Sequence, residues 1–352
     1  MTPIFSVLDL APLPDSGNGA EALKNTIDLA QHAEELGYQR FWVAEHHNFR
    51  GLASVAPEVL ISAITQHTQT IRVGSGGVLI PNYAPLKVAE IFRTLEGLAP
   101  GRIDAGVGRA PNMDPRTVLA LRGSNSDPKI VEDIARLLNE IEGFGQVAPS
   151  PFPEEHPLRD VIASPEGVPF PPISLLGSGQ LSAKIAAERG RGFAAAYFFS
   201  PDESATAIKA YKAQFVPSHH FSQPHAILTV GVICAETDEL AADLAKVNMV
   251  ANLRRTQGRP IGVISIEEAR AVEFSADEWE KIRRMEPISG NPARVRAQLD
   301  NLRAQTGADE IMISTSIADH GLRRRSYELI ADEYDLRPLQ RVGGAPEQLY
   351  PI

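Results

Sequence analysis

The fold is decided by the stretch GAEALKNTIDLAQHAEELGYQRFWVAE, residues 19–45, in which a helical pattern passes into an apolar strand. Apolar side chains recur every three or four residues from Leu23 to Leu36, which is the spacing of one helix face. Gly37 follows directly, and glycine suits the left-handed conformation that ends many helices. Residues 40–45 are then rich in apolar and aromatic side chains, so we predict a buried strand there.

The same alternation of helix, glycine and strand recurs along the chain. Gly190 and Gly307 each end a helical pattern shortly before an apolar run. Strand-like runs occupy residues 4–10, 40–45, 71–80, 102–108, 172–176, 192–199, 226–235 and 310–317. Eight such units predict an α/β fold of the (β/α)8 TIM-barrel class. We expect residues 1–335 to form this single barrel domain.

Two segments interrupt the alternation. Residues 143–172 contain eight prolines and little periodicity, which predicts an irregular insertion after the fourth helix. Residues 248–291 follow the seventh strand and are long, charged and partly helical. Since long loops in compact domains are usually functional or disordered, we interpret the second insertion as a candidate lid. The tail, residues 336–352, is predicted to be extended.

Composition narrows the function classes. The net charge of −10 over 352 residues argues against nucleic-acid binding, which needs clustered basic residues. No apolar run is long enough to cross a bilayer, the first residues lack a positive leader, and Cys234 is the only cysteine. We therefore expect a cytoplasmic protein that binds no membrane. The basic run Arg323–Arg325 is interpreted as a solvated helix face rather than an anion site.

Glu45, His46 and His47 follow the second predicted strand. The carboxyl ends of parallel strands are where ligands bind, so these side chains are candidates for chemistry. We expect no metal site, because neighbouring side chains on a strand diverge and the sequence supplies no further ligand cluster. One alternative is a histidine that is simply hydrogen-bonded at the rim. We favour an acid/base imidazole that is held in one tautomer by Glu45.

Residues 173–190 have the pattern of a strand, a Gly/Ser turn and a helix. Backbone N–H groups near Gly179 and the Ser182 hydroxyl are candidate donors to an anion at the helix N terminus. The alternative is plain capping of the helix by Ser178. Arg109 follows the strand at 102–108 and is a candidate phosphate ligand; the alternative is a surface arginine paired with a carboxylate.

Glycines also lie inside the predicted strand at 71–80, where they mark a bulge or a close approach by a flat molecule. Taken in order, these segments resemble the bacterial luciferase-like flavin monooxygenases, a (β/α)8 family, over nearly the whole chain. The resemblance implies that His46 lies near the flavin and that Gly76–Gly77 is a non-proline cis peptide under its ring. Arg109 would hold the flavin phosphate.

The resemblance further implies that Gly179 and Ser182 donate hydrogen bonds to the phosphate and that Tyr197 forms an aromatic wall for the flavin. Ser178 stands where luciferases have a flavin-contacting carboxylate. Gly108 stands where light-emitting luciferases carry a reactive thiol, so we do not expect bioluminescence.

The function implied is that of an FMN-dependent monooxygenase. It would take reduced FMN from a separate flavin reductase and use O2 to oxygenate a small organic substrate, with an aldehyde as one candidate. Relatives in the family imply a homodimer. Two alternatives remain: a deazaflavin-dependent hydride-transfer oxidoreductase, because fold does not fix function, and a non-catalytic flavin-binding protein.

Overall fold

The computed structural model describes residues 3–14, 16–109, 114–123, 133–145, 152–259 and 263–339. Its strands are β1 (Ile4–Asp9), β2 (Arg40–Val43), β3 (Arg72–Ser75), β4 (Val78–Leu79), β5 (Ile103–Gly108), β6 (Ile173–Gly177), β7 (Gly192–Ala196), β8 (Ala226–Cys234), β9 (Ile288–Gly290) and β10 (Glu310–Ser314). Its helices are α1 (Gly19–Leu36), α2 (Pro57–His67), α3 (Pro85–Leu98), α4 (Pro115–Arg122), α5 (Ile134–Gly145), α6 (Gln180–Glu188), α7 (Pro201–Gln214), α8 (Asp238–Thr256), α9 (Ile266–Ala271), α10 (Ala276–Ile282), α11 (Pro292–Thr306) and α12 (His320–Glu333).

Eight parallel strands close into a barrel, in the order β1, β2, β3, β5, β6, β7, β8, β10 and back to β1. This confirms the predicted (β/α)8 class. Helix α1 has the predicted bounds and ends at Gly37, whose φ of 93° lies in the left-handed region. The run predicted as one strand at 71–80 is instead divided, because β3 stops at Ser75 and β4 begins at Val78. No described helix is long and apolar enough to span a bilayer.

The barrel interior is filled by side chains, and its lower half is ionic. Arg40, Arg72, Asp104 and Glu310 lie at or near the starts of their strands and form what we call the basal ion cluster. Arg40 is 2.8 Å from Asp104 and 2.7 Å from Glu310, and Arg72 is 2.6 Å from Asp104. Above it lies an apolar layer that contains Leu8, Trp42, Ala44, Ala194, Ile227 and Met312. A ligand therefore has room only above this layer, at the carboxyl ends of the strands.

The second insertion leaves the barrel earlier than residue 248. Helix α8 starts three residues after β8, and its apolar side packs on Ile233 and Ile317 at the ends of the sheet. Asn248 donates to the carbonyl of Ser316, which follows β10. The outer helix of this unit is α11, which packs beside α7 and α12. Helix α8 therefore lies over the barrel mouth, and the segment between it and α11 includes α9, α10 and β9.

The first insertion is irregular over its described part, residues 152–172, while residues 146–151 lie outside the described ranges. It is nevertheless packed: Phe152 contacts Phe144 with ring centres 5.2 Å apart, and Arg93 donates to the carbonyl of Ala163 at 2.6 Å. Residues 340–352 of the predicted tail also lie outside the description.

The arginine run at the start of α12 does not form a solvated face. Arg323 is buried and lies 3.1 Å from Asp9, itself buried at the end of β1. Arg324 pairs with Asp28 at 2.8 Å and Arg325 pairs with Glu236 at 2.8 Å, and both of these pairs are partly exposed. The expectation was wrong for Arg323 because a buried carboxylate such as Asp9 requires a partner charge.

Candidate active site

Glu45 is a buried anchor for the segment after β4. Its carboxylate accepts hydrogen bonds from the backbone N–H of Leu79 at 2.8 Å and from the hydroxyl of Tyr83 at 2.9 Å. His47 Nε2 lies 2.7 Å from the same carboxylate. The two histidines therefore diverge, and the imidazole that Glu45 holds is that of His47 rather than that of His46.

His46 faces a different environment. Its imidazole packs against Phe49, with ring centres 5.3 Å apart, and its Nδ1 atom is buried without a hydrogen-bond partner among the described residues. Burial lowers the pKa of His46 to about 4, and the positive charge of Arg255 and the neighbouring His47 act in the same direction. The imidazole is therefore neutral at physiological pH.

The peptide bond between Gly76 and Gly77 is cis, as the resemblance implied. Both glycines pack directly on the apolar layer of the barrel. A Cβ on Gly76 would contact Leu8 and Trp42, and one on Gly77 would lie 2.7 Å from the carbonyl oxygen of Gly106. Only glycine fits this close approach, which leaves a bare stretch of backbone at the mouth.

The N terminus of α6 has the form of an anion cradle. Gly179 is its N-cap, and no described side chain caps the helix, so capping by Ser178 is excluded. Ser178 is half-buried in the turn, and Ser182 is buried in the first turn of the helix. A Cβ on Gly177 would lie 2.5 Å from Ser182 Oγ, so this hydroxyl lies against the end of β6. Free backbone N–H groups and a hydroxyl thus meet at one helix end.

Arg109 directly follows β5, the strand beside β6. It is half-buried and forms no ion pair with any residue in the described ranges. The alternative of a surface arginine paired with a carboxylate is thus not realised there. Arg109 and the α6 N terminus stand at neighbouring strand ends, which is compatible with one phosphate held between them.

The structure separates Tyr197 from the barrel interior. Tyr197 packs on the outer core between sheet and helices, whereas Phe198 packs with Leu10 and Leu176 on the interior apolar layer. Of these two neighbours, Phe198 is therefore the one directed at the interior, and the role of Tyr197 beside a flavin stays a prediction. Both border a cleft of about 470 Å³ at the ends of β7 and β8, which Trp279 and Arg284 close from outside.

Arg255, on the last turn of α8, was missed by sequence reasoning. Its guanidinium carbon lies 4.9 Å from the centre of the Phe49 ring, on which His46 also packs. The sequence offers no signal for this contact, since more than 200 residues separate the two segments. The described residues contain no group of His, Cys, Asp or Glu arranged to hold a metal ion.

These features fit a flavin with a terminal phosphate. The cradle of Arg109, Gly179 and Ser182 offers positive charge and N–H and O–H donors. The bare Gly76–Gly77 backbone offers a flat surface, and the orphaned His46 Nδ1 offers a proton-exchanging atom at the same mouth.

Comparison with known proteins identifies relatives whose sequences match nearly the whole chain. The model of the luciferase-like monooxygenase family matches residues 4–310. A luciferase-like monooxygenase of Escherichia coli K12 is 38% identical over 336 residues, which are 93% of this chain and 96% of the relative. N-acetyl-S-alkylcysteine monooxygenase of Bacillus subtilis is 34% identical over 332 residues, 93% of this chain and 97% of the relative.

Among solved structures, that of apo-MsnO8 has a TM-score of 0.84 and 37% identity, covering 96% of this chain and 98% of that one. The oxygenating constituent of 3,6-diketocamphane monooxygenase from Pseudomonas putida, in complex with FMN, has a TM-score of 0.67 at 17% identity and covers 97% of this chain. A coenzyme F420 dependent reductase from Methanopyrus kandleri has a TM-score of 0.64 at 16% identity and covers 95%. The last two likenesses show the fold alone.

Proposed function

Because this chain belongs to the luciferase-like monooxygenase family, we propose that it is an FMN-dependent enzyme that uses reduced flavin and O2 to oxygenate a small organic substrate. Reduced FMN comes from a separate reductase, the enzyme is a cytoplasmic homodimer, and it emits no light. The observation that carries the proposal is the anion cradle of Arg109, Gly179 and Ser182, at the same barrel mouth as the unpartnered Nδ1 of His46.

Each part of the mouth has one task in this proposal. Arg109, the α6 N terminus and Ser182 hold the phosphate, while the Gly76–Gly77 backbone supports the ring. Bound reduced FMN supplies the electrons with which O2 is activated. Helix α8 covers one side of the mouth and limits the access of water to it.

His46 exchanges the proton that the oxygenation requires. Since its pKa is about 4, the neutral imidazole can accept a proton at an unprotonated nitrogen or donate one from the other without carrying charge at the start. No described group satisfies Nδ1, so one ring nitrogen can bond a ligand while the other takes part in the proton exchange. A non-catalytic flavin store gives this orphaned nitrogen no purpose, which favours an enzyme. Glu45 acts indirectly, by fixing the segment that follows the Gly76–Gly77 peptide.

A binding experiment tests the cofactor. We expect FMN to bind more tightly than riboflavin, which lacks the phosphate, when each is titrated into apoprotein and flavin fluorescence is followed. Arg109→Met and Ser182→Ala should each weaken FMN binding by about 10- to 100-fold and leave riboflavin binding unchanged, since charge-assisted hydrogen bonds contribute about 1.5–3 kcal/mol. Arg116→Met, an exposed arginine on α4, is the matched control.

Equal affinity for FMN and riboflavin would contradict the cradle. A parallel titration with coenzyme F420 separates the deazaflavin alternative, which predicts tighter binding of F420 than of FMN. Light scattering of the eluted protein checks the homodimer.

The reaction is tested by supplying reduced FMN through a flavin reductase under ¹⁸O2. Decanal and an N-acetylated S-alkylcysteine serve as probe substrates, the second because a relative is named for it. Incorporation of one ¹⁸O atom into product is expected. Hydride transfer without ¹⁸O incorporation would refute a monooxygenase.

A further inference from the structure

We propose that Arg255 and His46 form an anion subsite, and that the substrate therefore carries a carboxylate that Arg255 binds. This rests on the proposed function, and it names the class of substrate that the mouth accepts. The proposal rests on two side chains that pack on the Phe49 ring: the partly buried guanidinium of Arg255, and the imidazole of His46, whose Nδ1 has no hydrogen-bond partner in the described ranges.

Arg255 is partly buried, and no carboxylate in the described ranges pairs with it. Among the buried arginines, Arg40, Arg72 and Arg323 each pair with a carboxylate, and Arg93 donates from its Nε and Nη1 atoms to backbone carbonyls. Arg255 instead bonds the neutral side-chain oxygen of Asn252, and its Nε is buried with no hydrogen-bond partner in the described ranges. Burial lowers the pKa of Arg255, because removing the charged guanidinium from water costs free energy. A bound anion would offset this desolvation cost.

His46 supplies the second side of the subsite. Its ring and the Arg255 guanidinium pack on the same Phe49 side chain, at 5.3 Å and 4.9 Å from the ring centre. In the tautomer with a proton on Nδ1, both unsatisfied atoms are donors. A planar carboxylate accepts hydrogen bonds at each of its two oxygens, and the partly exposed Phe49 offers apolar contact to the carbon chain behind it.

The subsite is separate from the flavin phosphate cradle. His46 follows β2, whereas Arg109 and the α6 N terminus follow β5 and β6, with β3 between the two groups. Arg255 reaches the β2 side because α8 crosses the mouth from the end of β8 past the end of β10. The carboxylate at Arg255 consequently belongs to a second molecule, which is the substrate.

The test compares octanoate with octanamide, its uncharged analogue, by isothermal titration calorimetry on the flavin-loaded protein. Octanoate should bind at least tenfold more tightly. Arg255→Met should remove that preference and leave octanamide unchanged. Arg254→Met removes the neighbouring arginine of the same helix, which pairs with Glu268 on α9, and should preserve the preference. Equal binding of the two ligands, or of octanoate to wild type and Arg255→Met, would overturn the proposal.

A second measurement on wild type is independent of any variant's folding. The imidazole of His46 is titrated by NMR with octanoate or octanamide at saturation. A carboxylate on Arg255 offsets its charge, so the pKa of His46 rises with octanoate only. If Arg255 merely packs on Phe49, neither ligand changes the pKa of His46. Both experiments measure ligand binding, whereas ¹⁸O incorporation measures the reaction. Each proposal can therefore be contradicted while the other is supported.

Discussion

Replacement of Glu45 by Gln separates an anchoring role from a direct role in chemistry. The buried carboxylate accepts from Leu79, Tyr83 and His47 at 2.8, 2.9 and 2.7 Å. A glutamine keeps one oxygen and turns its NH2 group toward at least one of these donors. Since hydrogen bonds to charged groups contribute about 1.5–3 kcal/mol and a buried unpaired donor is costly, we expect a loss of about 2–3 kcal/mol in the free energy of unfolding.

Urea unfolding measures this loss, provided that the slope of the transition is unchanged. Tyr83→Phe removes one donor but leaves the carboxylate in place, so its loss should be smaller, about 1 kcal/mol. Glu155→Gln makes the same change of charge at an exposed position and should cost almost nothing. A Glu45→Gln variant as stable as Glu155→Gln would refute the anchor.

The same variant also tests whether Glu45 acts on His46 as well as on His47. Burial, Arg255 and His47 set the pKa of His46, so it should remain near 4 when Glu45 is neutralised. If Glu45 were the carboxylate that holds His46, its loss would lower that pKa further. NMR titration of His46 in the folded variant distinguishes these outcomes.

Two further predictions concern proton transfer and acid stability. His46→Asn should lower the single-turnover oxygenation rate by about 100-fold and leave FMN affinity unchanged. The wild-type rate should fall as pH drops through about 4, rather than near 6.5. An unaltered rate in the variant would show that His46 takes no part in the reaction. Burial alone would raise the pKa values of Asp104 and Glu310. The charges of Arg72 and Arg40 lower the pKa of Asp104 to about 2 from its ordinary 3.8, and Arg40 with His225 lowers that of Glu310 to about 2 from 4.5. Their stabilisation is therefore complete above about pH 4.5 and lost as pH falls toward 2, so Asp104→Asn should flatten that part of the pH dependence in thermal unfolding.

The barrel was predictable because its evidence is local. The apolar period of α1 and the glycine after it fix a helix, its end and the next strand within thirty residues, and the same arrangement repeats. The uncapped N terminus of α6 was also predictable, since Gly179 and Ser182 are placed by one strand and the helix that follows it.

Other features depend on contacts that no local pattern encodes. Glu45 is bound by Leu79 and Tyr83, more than thirty residues later. The sequence also does not decide whether Tyr197 or Phe198 faces the barrel interior, because a shift of one residue at a strand end reverses which side chain faces inward.

Helix α8 shows a further limit of sequence reasoning. Its first half has the length and position of an ordinary return helix after β8, so the predicted insertion began only at residue 248. Only the tertiary structure shows that the whole helix lies over the mouth and that α11 takes the outer position.

The basal ion cluster holds the barrel together at the starts of the strands, at the end opposite the candidate active site. Its paired charges interlock four strands, so a change at any one of them disturbs the others. In its described part, the segment 235–291 contacts the barrel at its rim, and it carries Arg255 and part of the lining of the cleft. On the proposed function, substrate preference can therefore change by replacement of this one segment while the basal ion cluster stays unaltered.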